Sequence, residues 1–178
     1  MARRIFLTGF MGSGKSSLGR RLASELRWKL IDTDREIERR AGMTIPEIFE
    51  RRGEEAFREL ESRVIDDAAA SEHDTVVALG GGAVCREGVM EMLAGAGQTI
   101  YLKMSAARLV GRMSPVGRAK RPKIAGMGDA ELTAFIEKTL PEREKYYNRA
   151  TFVLDCGDAS DGVLLRMMLQ HINNLHIE

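Results

Sequence analysis

Apolar residues gather in five short runs, and between them apolar positions recur every three or four residues. "RIFLT" (4–8) reads as a strand, and Leu18, Leu22 and Leu26 follow at helical spacing. "WKLID" (28–32) is a second strand. "DREIERRAG" then predicts a helix that begins at a capping-type Asp34 and stops at Gly42. Thr44 and Glu47 form a capping box with Pro46 near the first turn, so a helix runs to about Arg52. Gly53 interrupts it, and a longer helix continues through Ala70. "TVVAL" (75–79), "TIYLKM" (99–104) and "ATFVLD" (150–155) are the remaining strands. The remaining helices fall at about Ser105–Arg112, Asp129–Asn148 and Asp161–Asn174. Strand–helix alternation with short connections predicts an α/β three-layer sandwich, its parallel sheet covered on both faces. No repeat, low-complexity tract or linker divides the chain, so residues 1–178 read as one domain. Ligands of such sheets bind beyond the carboxyl ends of the strands. That rule collects Gly9–Ser16, Asp32–Asp34 and Gly80–Gly82 into one candidate site.

Composition narrows the function classes. The chain's 178 residues suffice for a real core. Lys plus Arg number 27 against 26 Asp plus Glu, a balance that argues against a general nucleic-acid or membrane partner. No segment approaches the run of about 20 apolar residues that spans a bilayer, and the N-terminus lacks a secretory pattern. Cys85 and Cys156 lie far apart without metal-ligand spacing and read as small, buried thiols of a reducing compartment. A cytoplasmic protein is expected.

"GFMGSGKSS" (9–17) carries the sharpest chemistry. Gly9, Gly14, Lys15 and Ser16 satisfy G-x-x-x-x-G-K-S between a strand and a helix. The glycines let backbone N–H groups converge on an anion at a helix N-terminus. Lys15 can reach the outer phosphates of a nucleoside triphosphate, and Ser16 can offer its hydroxyl to Mg²⁺. Asp32 and Asp34, alternate residues at a strand end, can face one site, one toward Mg²⁺ water and the other toward an acceptor hydroxyl; Asp34 alternatively only caps a helix. Arg58 and Glu61 in "FRELE" share a helix face, either as a surface ion pair or as part of the site. Gly80–Gly82 form an approachable turn at a strand end or a loose one. "GRAKRPKIAGMGD" is basic, bears glycines and has little apolar content to pack, which reads as a mobile lid or a solvated loop.

In this order, "GFMGSGKSS", "IDTD", "FRELE", "VVALGGGAV", "RP" at Arg121–Pro122 and an arginine in "REKYY" resemble the shikimate kinase family over nearly the whole chain. The resemblance implies a P-loop kinase fold with strand order 2-3-1-4-5, a substrate-binding region at about 33–62 and a lid at about 113–127. It implies ATP-dependent phosphorylation of the 3-hydroxyl of shikimate, with Mg²⁺, by a monomer that binds neither nucleic acid nor membrane. ATP would meet Gly12, Ser13, Gly14, Lys15, Ser16, Ser17, Arg118 and Arg121. Lys15, Asp34 and Arg121 would be catalytic, and Ser16 and Asp32 would serve the metal. Shikimate would meet Asp34, Arg58, Glu61, Gly80, Gly81, Gly82 and Arg143. Two positions depart from the family pattern: Lys123 stands in an apolar slot of the lid, and Lys145 replaces a proline after Arg143. The residues leave open whether Arg112 or Arg118 meets the nucleotide, and place adenine beside Cys156, Gly157 and Asp158. They also leave open a kinase of another small polyol or acid, and a nucleotide-binding regulator without catalysis.

Overall fold

Parallel strands must each return to the same end of the sheet, and here helices supply the crossovers. A computed structural model describes residues 2–119 and 121–175. In chain order the elements are β1 (Arg4–Thr8), α1 (Lys15–Leu26), β2 (Lys29–Asp32), α2 (Thr33–Ala41), α3 (Ile45–Ala69) and β3 (Thr75–Ala78). They continue with α4 (Val89–Ala96), β4 (Gln98–Lys103), α5 (Ala106–Arg112), α6 (Pro115–Ala119), α7 (Asp129–Tyr147), β5 (Phe152–Asp155) and α8 (Asp161–Asn174). All five strands are parallel in the order β2-β3-β1-β4-β5. Leu7 and Asp32 both pair in register with Ala78, so the carboxyl ends of β1, β2 and β3 lie level at one edge of the sheet. β1 and β3 are buried nearly throughout, which suits central strands covered on both faces.

The core runs through Ile5, Phe6 and Leu7 of β1, Val76 and Val77 of β3 and Ile100 to Leu102 of β4, closed by Leu18, Leu22, Leu164 and Met168 from α1 and α8. A smaller apolar cluster of Ile37, Ile48, Phe57 and Val64 joins α2 to α3. That cluster gives the region 33–62 its own anchorage beside the sheet. α3 breaks at Gly53, whose backbone (φ 81, ψ 174) is not helical and redirects the chain between two helical segments.

Three sequence expectations change. α4 falls where no helix was expected; its Met90 and Leu93 are fully buried at i, i+3, a repeat too short to stand out in a run with few polar residues. The cap of α2 is Asp32, whose carboxylate accepts from Arg35 N at 3.3 Å, and Asp34 lies inside the first turn. The segment between α5 and α7 is also better anchored than its composition suggested: Met113 is nearly and Ile124 fully buried.

Thr33, between the two aspartates, is buried and ties α2 to the end of β3. Its hydroxyl accepts from Gly80 N at 2.9 Å and donates to Ala78 O at 3.3 Å. Thr33→Val should therefore lower unfolding stability by about 1–3 kcal/mol, the cost of stranding buried polar groups. Thr33→Ser should recover most of it. Equal urea midpoints for Val and wild type would show that the bridge contributes nothing.

Candidate active site

The loop from Gly9 to Gly14 turns β1 into α1. Gly14 caps α1 with φ 93, a left-handed geometry that favours glycine, and a Cβ there would lie 2.8 Å from Arg112 Nη2. The first N–H groups of α1 lack helical partners and open into this turn. Lys15 is buried at the start of α1, where its Nζ donates to Gly9 O at 2.8 Å and Phe10 O at 2.9 Å. It thus has a packed resting position rather than a free one in the loop. Burial lowers its pKa to about 8, Asp34 opposes that shift, and Arg121 and Arg143 reinforce it. Ser13 is buried, whereas Ser16 and Ser17 are exposed in the first turn.

Beside the loop lies a cavity of about 160 Å³, lined by Asp34, Arg58, Glu61, Gly80, Gly81, Gly82, Arg121 and Arg143. Met11, Ile45, Phe49, Phe57, Pro122 and Lys123 complete its wall. The space suits a small ring better than a drug-sized ligand, whose pockets hold roughly 300–1,000 Å³. Asp34 reaches solvent through the mouth but stands among protein groups. Desolvation there raises its pKa to about 6, Asp32 and Glu61 add to the rise, and Lys15 and Arg121 oppose it. A Cβ on Gly80 would come within 2.8 Å of Asp34 Oδ1, so the glycine makes room for this carboxylate.

Arg58 faces the same space. Its Nη1 donates to Glu61 Oε2 at 2.7 Å, and its Nη2 to Glu54 Oε1 at 3.1 Å. Glu61 is almost wholly buried and also lies 3.9 Å from Arg86 Nη2. Arg143 arrives from α7, donates to Gly81 O at 3.2 Å and stacks 4.9 Å over the ring of Phe10. Tyr147, one turn further on, donates to the same carbonyl. Lys145, in the family's proline position, pairs with Glu142 on the exposed side and leaves Arg143 in the cavity wall.

The structure therefore brings together all the expected substrate-side residues, with Lys15 and Arg121. It does not bring Arg118 to the loop. That guanidinium is buried inside the 113–128 segment, donating to Met113 O at 3.1 Å and Met127 O at 3.3 Å and pairing with Asp129 at 2.5 Å. Arg112 takes the position against Gly14 and pairs with Asp161 at 3.0 Å. Arg121 lines the cavity while donating to Gly117 O. Of the two thiols, Cys156 is buried, but Cys85 is only half-buried; burial raises its pKa, which leaves it a poor nucleophile. Sequence reasoning missed Thr33, Glu54 and Tyr147. Thr33 stood in plain view within "DTD", Glu54 lay four residues before Arg58, and Tyr147 followed Arg143 by one helical turn.

A phosphate loop opening onto a small, cation-rich cavity that also holds the carboxylates of Asp34 and Glu61 defines a P-loop kinase of small molecules. The family model described as shikimate kinase matches residues 11–173. A curated shikimate kinase of Bacteroides fragilis is 38% identical over 98% of both chains. One of Mycobacterium avium is 42% identical over 97% of this chain and 94% of its own. The crystal structure of the Acinetobacter baumannii shikimate kinase in complex with shikimate matches with TM-score 0.89 and 30% identity, covering 100% of this chain and 97% of that one. The chain belongs to the shikimate kinase family.

The confined carboxylate can be checked without any substrate. In an NMR titration of the free protein, Asp34 should show a midpoint near 6 rather than near 4. Lys15→Met removes an opposing cation and should move that midpoint higher. A midpoint near 4 in the wild type would mean that water in the cavity fully solvates the group.

Proposed function

We propose that this chain transfers the γ-phosphoryl group of ATP to the 3-hydroxyl of shikimate, within the route to chorismate and the aromatic amino acids. The observation that carries the reading is a shared boundary: Asp34 and Arg121 line the acid-sized cavity and both act electrostatically on Lys15 in the phosphate loop. Family membership supplies the identity of the acid.

In this reading Arg58 and Arg143 clamp the carboxylate of shikimate, an interaction that planar guanidinium groups suit well. Glu61 holds Arg58 in place, and Tyr147 and Arg143 fix the Gly81 peptide beside the ring. Asp34 meets the ring hydroxyls and accepts the proton of the attacking one. The hydroxyl oxygen forms the new bond to the γ-phosphorus as the bond to the bridging oxygen of ADP breaks. Lys15 leaves the carbonyls of Gly9 and Phe10 for the phosphates, and Arg121 joins it from the other side. Such transfers depend on alignment and charge stabilisation more than on covalent help.

The residues also fit magnesium. Ser16 is exposed in the first turn of α1, and Asp32 lies close enough to influence both Lys15 and Asp34. Both are hard oxygen donors, and magnesium commonly uses one or two such side chains with substrate phosphates. When bound there it would neutralise phosphate charge. Residues 113–127 act as the lid, with Arg112 rather than Arg118 nearest the nucleotide and the loop at Cys156–Asp158 beside adenine.

The decisive assay is ADP release over a panel of acids and polyols. Turnover should require shikimate; turnover with gluconate instead, or none at all, would sink the proposal. Lys15→Ala and Arg121→Ala should each lower kcat by about 10³-fold, in the range of charge-stabilising groups in phosphoryl transfer. Near-normal kcat in either variant would remove that residue from the reaction. Arg58→Ala should raise the KM for shikimate by about 30-fold or more while changing the KM for ATP little. Equal losses for the two substrates would point to a structural role for Arg58.

A further inference from the structure

Among the described residues Lys123 is the one lysine lining the acid cavity, and it stands where the family pattern has an apolar residue. It follows Arg121 and Pro122 on the lid, and its Nζ lies 3.6 Å from Glu54 Oε1. The same oxygen accepts from Arg58 Nη2 at 3.1 Å. A chain of charges thus runs from the lid through Glu54 to Arg58 and on to buried Glu61. Glu54 is the first residue after the break at Gly53, one turn before Arg58, so both side chains share a helix face. Its carboxylate is held below the usual range, by Arg58 first and then Lys123.

This geometry sets up a competition. Arg58 has Nη1 on Glu61 and Nη2 on Glu54, so an incoming carboxylate that approaches Nη2 competes with Glu54 for it. A displaced carboxylate needs another cation, and Lys123 is the cation already beside it. We propose that Lys123 is a specificity-determining residue of the lid. It receives Glu54 when the substrate's carboxylate takes Arg58, and so couples lid closure to recognition of an acid. The proposal rests on the assignment of Arg58 to the acid. A leucine in this position could not receive the carboxylate, and Glu54 would stay in competition with the substrate.

The test is a double-mutant cycle on shikimate affinity, read as KM and as Kd by calorimetry. Lys123→Leu should raise both by about threefold to fivefold, the scale of a partly exposed ion pair, with the KM for ATP little changed. In a Glu54→Gln background the same substitution should have almost no effect, because no displaced carboxylate remains to be held. Hydrogen exchange should show shikimate protecting residues 121–127 in the wild type and much less in Lys123→Leu. Equal losses from Lys123→Leu in both backgrounds, or no loss at all, would overturn the exchange. Arg58→Lys separates the two levels of the argument. If it leaves shikimate affinity intact, the assignment of Arg58 fails and this proposal with it; if affinity falls while the cycle is additive, the exchange alone fails.

Discussion

The hydroxyl of Thr33 fastens the start of α2 to the end of β3, which the pairing of Asp32 with Ala78 brings alongside. By accepting from Gly80 N and donating to Ala78 O, it sets the first turn of α2 against the end of β3. Asp34, one residue on, then projects over Gly80. Asp32, one residue back, caps the same helix and lies level with Leu7, two residues before the phosphate loop begins at Gly9. Three consecutive residues therefore do three jobs: a cap, a bridge to the sheet and a carboxylate in the cavity. The parallel register makes this possible, because it brings the ends of β1, β2 and β3 to one level.

Confinement at that level creates an electrostatic problem that the charges solve jointly. Loss of water around the charges would by itself push buried Lys15 toward the free amine and Asp34, at the open mouth of the cavity, toward the neutral acid. Each opposes the other's shift, since an opposite charge nearby favours the ionised form. The result is an amine near 8 and a carboxyl near 6. Between those values both groups are ionised in most molecules, the state that a proton acceptor and a phosphate-binding cation require. Below the lower value Asp34 gains its proton, and above the upper one Lys15 loses its charge, so with the roles proposed for them the pair would favour transfer between the two. Arg121 enters both balances and Arg143 that of Lys15 alone, so the position of Arg121 bears on the protonation of both groups in the floor.

Much of the fold was legible because its signals are local. Strand and helix alternate with clear apolar spacing, Gly53 announces the break in α3, and the capping box at Thr44 marks where that helix starts. The site was legible in its charged members, since Lys15, Asp34, Arg58 and Arg143 belong to motifs whose spacing carries meaning. What escaped depends on contacts between distant segments. Thr33 is important through Gly80, 47 residues away. Glu54 looks like one of many surface acids until Lys123 is set beside it. The lid composition suggested a segment with little to pack, yet Ile124 finds a fully buried seat that no short window could reveal. Two arginines of similar local context separate for the same reason: Arg118 meets carbonyls from both ends of its own segment, while Arg112 meets Gly14.

That division of labour changes how the lid should be understood. Arg118 binds its two ends to each other through Met113 O and Met127 O, and Ile124 seats its middle in the core. A closure of such a segment would have to turn about anchored points, since loosening it as a whole would strand buried polar groups and apolar surface together. Arg121 and Lys123 flank Pro122, which restricts the residue before it to extended conformations. A rotation that advances one of them therefore carries the other. Both line the cavity; with the roles proposed for them, Arg121 would meet the transferring phosphoryl group and Lys123 the acid's clamp, so that one tripeptide would sense both substrates. An enzyme that must avoid giving its phosphoryl group to water would gain from that arrangement, because the cation proposed for transfer would be drawn in most fully when the proper acceptor is present.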